Sequence, residues 1–134
     1  MIDPPLQHNV PPTIVSIPTG RPVSEALKLM NANKSSYVLV MDGLATVGII
    51  TERDMTVLLE DSFSGANWRD ITVDNVMTSP LVTVPWDSTL LESIDVMRNR
   101  KIRHTPVQDG AGVTIGVITP QVVIDLLYRN WNDD

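Results

Sequence analysis

The chain repeats itself. Val15-Ser16-Ile17-Pro18 recurs 67 residues later as Val82-Thr83-Val84-Pro85, and the agreement continues in register. Leu27 and Met30 answer to Ile94 and Met97, Lys34 to Lys101, Val40 to Val107, and the pair Asp42-Gly43 to Asp109-Gly110. One extra residue in the second copy then moves the offset to 68, so that Gly48-Ile49-Ile50-Thr51 meets Gly116-Val117-Ile118-Thr119. A duplication of this kind limits the chain to two copies of one small unit. A unit of about 60 residues buries only about 60% of its unfolded surface and is marginal alone. The expectation is that the copies pack on each other about a pseudo-twofold axis, with a cleft where equivalent elements meet.

Each copy reads as β-α-β-β-α. A short β-branched strand, Ile14 to Ile17 or Leu81 to Val84, runs up to a proline, whose missing N–H ends a ladder. Val23, Ala26, Leu27 and Met30 then fall at helical spacing, as do Leu90, Ile94 and Met97. Asp87 is the expected N-cap of the second of these helices and Gly20 a weaker cap for the first, with Pro22 just inside its opening turn. Two strands joined by a turn follow: Tyr37 to Met41 with Thr46 to Ile50 around Asp42-Gly43, and Thr105 to Gln108 with Val113 to Ile118 around Asp109-Gly110. A last helix closes each copy, Glu52 to Glu60 and Pro120 to Trp131, the latter capped by Thr119. The fold class is α+β, a mixed helix and strand arrangement with copies at residues 10–60 and 76–131. Residues 61–75 form a connector that Trp68 is expected to pin.

Composition narrows the function. The chain has no cysteine, which removes disulfides, cysteine-type zinc sites and thiol nucleophiles. A formal charge of -6 disfavours a nucleic-acid coat or an anionic membrane surface as partner, because both need a positive face. The N-terminus has no signal-peptide pattern, and the apolar stretches Tyr37 to Met41 and Val122 to Leu127 are far short of the roughly 20 residues that cross a bilayer. A cytoplasmic protein is expected. There is no G-x-x-x-x-G-K-[ST] loop, no G-x-G-x-x-G fingerprint and no G-x-S-x-G elbow, and His8 and His104 lack carboxylates at metal-ligand spacing. Neither an enzyme nor a metal site is expected.

Two features remain as binding candidates. At Gly48-x-x-Thr51-x-x-Asp54 a strand gives way to a helix, whose N-terminal N–H groups and dipole favour an anion. Thr51 can donate to a phosphate there, and Asp54 can accept from the hydroxyls of a ribose. The same residues also read as a capping box in which Asp54 serves only the backbone. The second feature is the cluster Arg98, Arg100, Lys101, Arg103 and His104, which holds four of the ten lysine and arginine residues. Arg98, Arg100 and Lys101 suit a solvated helix end. Arg103 and His104 are expected to enter the next strand and alternate across its faces.

Val76-Met77-Thr78-Ser79-Pro80, Lys101-Ile102-Arg103-His104-Thr105-Pro106-Val107 and Gly116-Val117-Ile118-Thr119 resemble a cystathionine β-synthase (CBS) domain. The first copy, with Gly48-Ile49-Ile50-Thr51-Glu52-Arg53-Asp54, resembles another, so the chain is similar to a tandem CBS pair, or Bateman module, over about Val10 to Leu127. The resemblance implies a non-catalytic regulatory module, homodimeric, that binds AMP, ADP, ATP or S-adenosylmethionine between the copies and acts on a fused or separate effector. It requires no cofactor. In the family the residue matching Asp54 holds the ribose and that matching Thr51 lies near phosphate, while residues matching Arg103 and His104 reach phosphates from the other copy. Apolar and backbone groups around the first strand and hairpin, here Ile17, Tyr37 and Val38, take the base. In the second copy Thr119 is kept but Val122 replaces the carboxylate, so Thr78 and Thr119 mark a degenerate second site and a single competent site is expected. The alternative is a dimerisation or scaffolding module whose nucleotide site has decayed.

Overall fold

The computed structural model describes residues 3–62 and 67–131. Residues 63–66 of the connector lie outside the described residues, as do the two N-terminal residues. The chain is mixed α+β and divides into two compact units.

The first unit is Ile14–Leu81. Its strands are β1 (Ser16–Pro18), β2 (Tyr37–Asp42) and β3 (Ala45–Thr51), ordered β1-β2-β3 with β1 parallel and β3 antiparallel to β2. Helices α1 (Val23–Asn33) and α2 (Glu52–Ser62) follow β1 and β3, and a short 3-10 turn at Trp68–Asp70 leads to α3 (Val73–Val76). Ile17, Val38, Val40 and Ile50 from the sheet close on Val23, Ala26 and Met30 of α1, Met55 and Leu58 of α2, and Val73. Trp68 packs against this core as the connector reading expects.

The second unit comprises the chain up to Thr13 and from Val82 onward. Strands β4 (Val84–Pro85), β5 (Thr105–Gln108) and β6 (Thr114–Ile118) repeat the order and directions of the first sheet. Helices α4 (Leu90–Arg100) and α5 (Pro120–Trp131) repeat α1 and α2. Leu6, Val84, Leu90, Val107, Ile118 and Leu126 form its core.

The compact units are not the sequence copies. The segment that precedes the second copy packs into the first unit: Val73 is fully buried there, Val23 N–H donates to Ile71 O, and Pro22 bridges to Thr72. The segment that precedes the first copy does the same in the second unit, with Leu6 fully buried, Leu90 N–H donating to Pro4 O, and Pro5 bridging to Thr89. Each pair of equivalent bonds satisfies the first amide of a helix that has no intrahelical partner for it.

Several local expectations are corrected. Thr89, not Asp87, caps α4, because its hydroxyl reaches the Glu92 amide three residues on. Pro22 rather than Gly20 stands at the cap of α1; its ring offers no acceptor, so no side chain caps this helix, and Ile71 O takes the Val23 amide. Leu27 is exposed, so the buried face of α1 is the narrower set Val23, Ala26 and Met30. β1 and β4 begin later than the β-branched runs, since pairing starts only at Ser16 and Val84. The second hairpin turns on Gly112, at φ +81, rather than Gly110; Asp109 accepts the Ala111 and Val113 amides across the extra residue.

Candidate functional site

β3 ends at Thr51 and α2 starts at Glu52, so Asp54 sits in the first turn of an 11-residue helix. Its carboxylate bends back over the junction. Thr51 donates to Asp54 Oδ2 twice, from its backbone N–H at 2.8 Å and from its hydroxyl at 3.1 Å. The other oxygen, Oδ1, accepts the Thr78 hydroxyl at 3.1 Å. Thr78 is held beside β3 by two backbone bonds with Ile49, its N–H donating at 2.8 Å and its carbonyl accepting at 3.2 Å. Thr51 and Asp54 are half-buried and Thr78 is exposed.

Capping and binding are therefore not exclusive at Asp54. A carboxylate offers about four acceptor positions, two per oxygen. Three intrachain donors occupy three of them, and two of the three are hydroxyls that can rotate toward another acceptor. A polyol reaching Asp54 finds one position open and a second available on rotation of a threonine hydroxyl.

The equivalent junction of the second unit is built differently. Thr119 caps α5 in the ordinary sense, its hydroxyl oxygen accepting the Val122 amide at 3.2 Å. Val122 packs against the apolar core instead of offering a carboxylate. The expected second-site pair is thus divided: Thr119 stays at this junction, while Thr78 lies in the first unit beside Asp54, because Thr78 bridges to Ile49 of β3. Sequence reasoning missed that role. The register of the duplication held a signal for it, since Thr78 falls opposite Pro11 just as Asp54 falls opposite Val122.

Ile17 and Val38 are core residues and their side chains are spent on packing. Tyr37 is buried, and burial pushes its phenol up from the ordinary value while a backbone hydrogen bond at Val15 pulls the other way. Arg103 and His104 belong to the second unit, in the link between α4 and β5. They precede the strand, which begins at Thr105, so the expected alternation across its faces does not apply to them. Arg103 is exposed and His104 half-buried. Arg98 and Arg100 lie exposed in the last turn of α4, where cations complement the helix dipole. Among the described residues no three His, Asp or Glu side chains gather as a metal site, and no helix is long and apolar enough to cross a membrane.

Comparison with known proteins agrees with this architecture. The CBS domain profile matches twice, at residues 9–61 and 73–129. A protein of Methanopyrus kandleri is 30% identical over 113 residues, which are 84% of this chain and 57% of that protein. The inosine-5'-monophosphate dehydrogenase of Nitrosopumilus maritimus is 32% identical over 105 residues, 78% of this chain but 20% of the enzyme. The chain thus spans little more than half of the first relative and a fifth of the second. Among solved structures, the CBS domain pair of protein MJ0100, in complex with 5'-methylthioadenosine and S-adenosyl-L-methionine, superposes with a TM-score of 0.83 over 96% of this chain and 99% of that one, at 18% identity. Two profile matches over most of the chain, on two units with the same strand order and the same exchanged segments, make this protein a tandem member of the CBS domain family.

Proposed function

We propose that this CBS pair is a regulatory module that binds an adenine nucleotide, AMP, ADP or ATP, or the related S-adenosylmethionine, and modulates an effector, fused or separate. The observation that carries the reading is the carboxylate of Asp54, held at the start of α2 by Thr51 and Thr78 with acceptor capacity to spare. A ribose hydroxyl is a donor that such a carboxylate recognises, and the Thr51 hydroxyl and the α2 N-terminus suit a phosphate. The adenosyl ligands named for the MJ0100 pair support the ligand class. The match to a fifth of a dehydrogenase supports a role as an attachment to larger machinery rather than as a catalyst.

Calorimetry with AMP, ADP, ATP and S-adenosylmethionine tests this, with Asp54→Ala as the control and Arg103→Ala and His104→Ala as probes of phosphate contact. A ligand at about 100 times its dissociation constant raises stability by about 2.7 kcal/mol, so thermal shift gives a second readout. Absence of binding by every compound, or undiminished binding by Asp54→Ala, refutes the reading.

One observation favours a second role, homodimerisation or scaffolding. Ile124, Tyr128 and Trp131 follow one another at i, i+4 and i+7 on α5 and are all exposed. Light scattering with and without nucleotide separates the roles: a dimer indifferent to every adenine compound supports scaffolding.

A further inference from the structure

Thr78 lies 24 residues from Asp54 in sequence, in the opening segment of the second copy, yet its hydroxyl bonds Asp54 Oδ1 at 3.1 Å. The duplication gives an internal control for this contact. Opposite Asp54 stands Val122, and opposite Thr78 stands Pro11, which has no hydroxyl. Opposite Thr51 stands Thr119, which is retained. The carboxylate and its remote donor are present together in one unit and absent together in the other, while the local threonine, needed in either case to cap a helix, persists. The incoming segment lies against the equivalent glycine in both units, Met77 against Gly48 in the first and Val10 and Pro11 against Gly116 in the second, and in the first it is also tied to β3 by the backbone bonds between Thr78 and Ile49.

We propose that Thr78 is a positioning residue for Asp54, fixing the carboxylate in the orientation in which it receives a ligand hydroxyl. Both donors on Oδ2 come from Thr51, so without Thr78 the carboxyl group is held from one side only and turns about its Cβ–Cγ bond. With Thr78 in place both oxygens are anchored, and the remaining acceptor position on Oδ1 has a fixed direction. The inference rests on the nucleotide reading for its functional half, whereas its structural half stands without any ligand.

The experiment therefore has two arms on the full chain, using Thr78→Val, which is nearly isosteric, and Thr78→Ser, which restores the hydroxyl. In the first arm, amide hydrogen exchange at Thr51 reports whether Asp54 still holds its N–H. Thr78→Val is expected to speed exchange there by about tenfold, and Thr78→Ser to restore the parent rate, with melting temperatures alike. In the second arm, calorimetry with AMP is expected to show affinity about tenfold weaker for Thr78→Val and within about twofold of the parent for Thr78→Ser, the loss of one hydrogen bond to a charged group. Unchanged Thr51 exchange in Thr78→Val overturns the positioning role, as does a Thr78→Ser variant that behaves like Thr78→Val. If exchange responds while the parent binds none of AMP, ADP, ATP or S-adenosylmethionine, the positioning stands and the nucleotide reading falls.

Discussion

Met77 fills the space that a side chain on Gly48 would need: a Cβ there stands 2.7 Å from Met77 Cγ. The equivalent position, Gly116, meets a harder neighbour, because a Cβ there stands 2.9 Å from the Pro11 carbonyl oxygen. A methionine chain can swing aside, whereas a backbone carbonyl moves only with its segment. Both Gly48→Ala and Gly116→Ala are expected to lower stability by about 1–3 kcal/mol through overpacking, Gly116→Ala by the larger amount. Urea unfolding of the two variants checks both the size and the order.

The N-terminal segment is structural rather than a tail. Leu6 is fully buried in the core of the second unit, Asp3 Oδ1 accepts the Leu91 amide at 2.9 Å, and Asn9 donates to Pro5 O at 2.7 Å. Leu6→Ala is expected to destabilise that unit by about 2–5 kcal/mol, the cost of a core cavity. Trp86 packs on this core and Trp68 on the other, so they report the two units separately. With Trp131 of α5 also replaced by phenylalanine, fluorescence of the Trp68→Phe and Trp86→Phe backgrounds is expected to show the transition of the second unit moving further than that of the first.

The loss of polar groups in the second unit can be reversed in part. Val122→Asp places a carboxylate against an apolar core and is expected to cost about 1–3 kcal/mol. Adding Pro11→Thr supplies the donor that Thr78 provides in the first unit, and the double variant is expected to recover about 1 kcal/mol. A double-mutant cycle by chemical denaturation measures the coupling, and a coupling of zero means that the two junctions are not equivalent in geometry.

Much of this architecture was legible in the sequence because the duplication carries it. Hydrophobic spacing located both sheets and four of the helices, and Asp42-Gly43 marked a turn where Gly43 adopts φ +61. What escaped was long-range. The cap of α4 was legible but passed over, since Thr89-x-x-Glu92 has capping-box spacing and Asp87 does not; what no local pattern shows is that the Pro4 carbonyl and the Asp3 carboxylate take the Leu90 and Leu91 amides. Nor does any spacing within one copy assign Thr78 to Asp54, since the contact joins the first copy to the opening segment of the second. Motif spacing found the carboxylate, while chain exchange between copies supplied its partner.

Tyr37 gives a pH dependence with a definite sign. Burial favours its neutral phenol, so its folded-state value lies above the ordinary 10.0, with the backbone hydrogen bond at Val15 offsetting part of the rise. In the unfolded chain the phenol ionises at its ordinary value, and above that pH the unfolded state binds fewer protons than the folded one. The contribution is therefore intact below pH 10.0 and is lost as pH rises from there through the folded-state value. Lysines titrate in the same range, so the test is a difference: urea unfolding of the parent and of Tyr37→Phe from about pH 8 to about pH 11. The parent is expected to lose stability more steeply than Tyr37→Phe at the alkaline end, with the two curves parallel below pH 9 or so. Curves that stay parallel throughout would mean that the phenol reaches solvent in the folded protein.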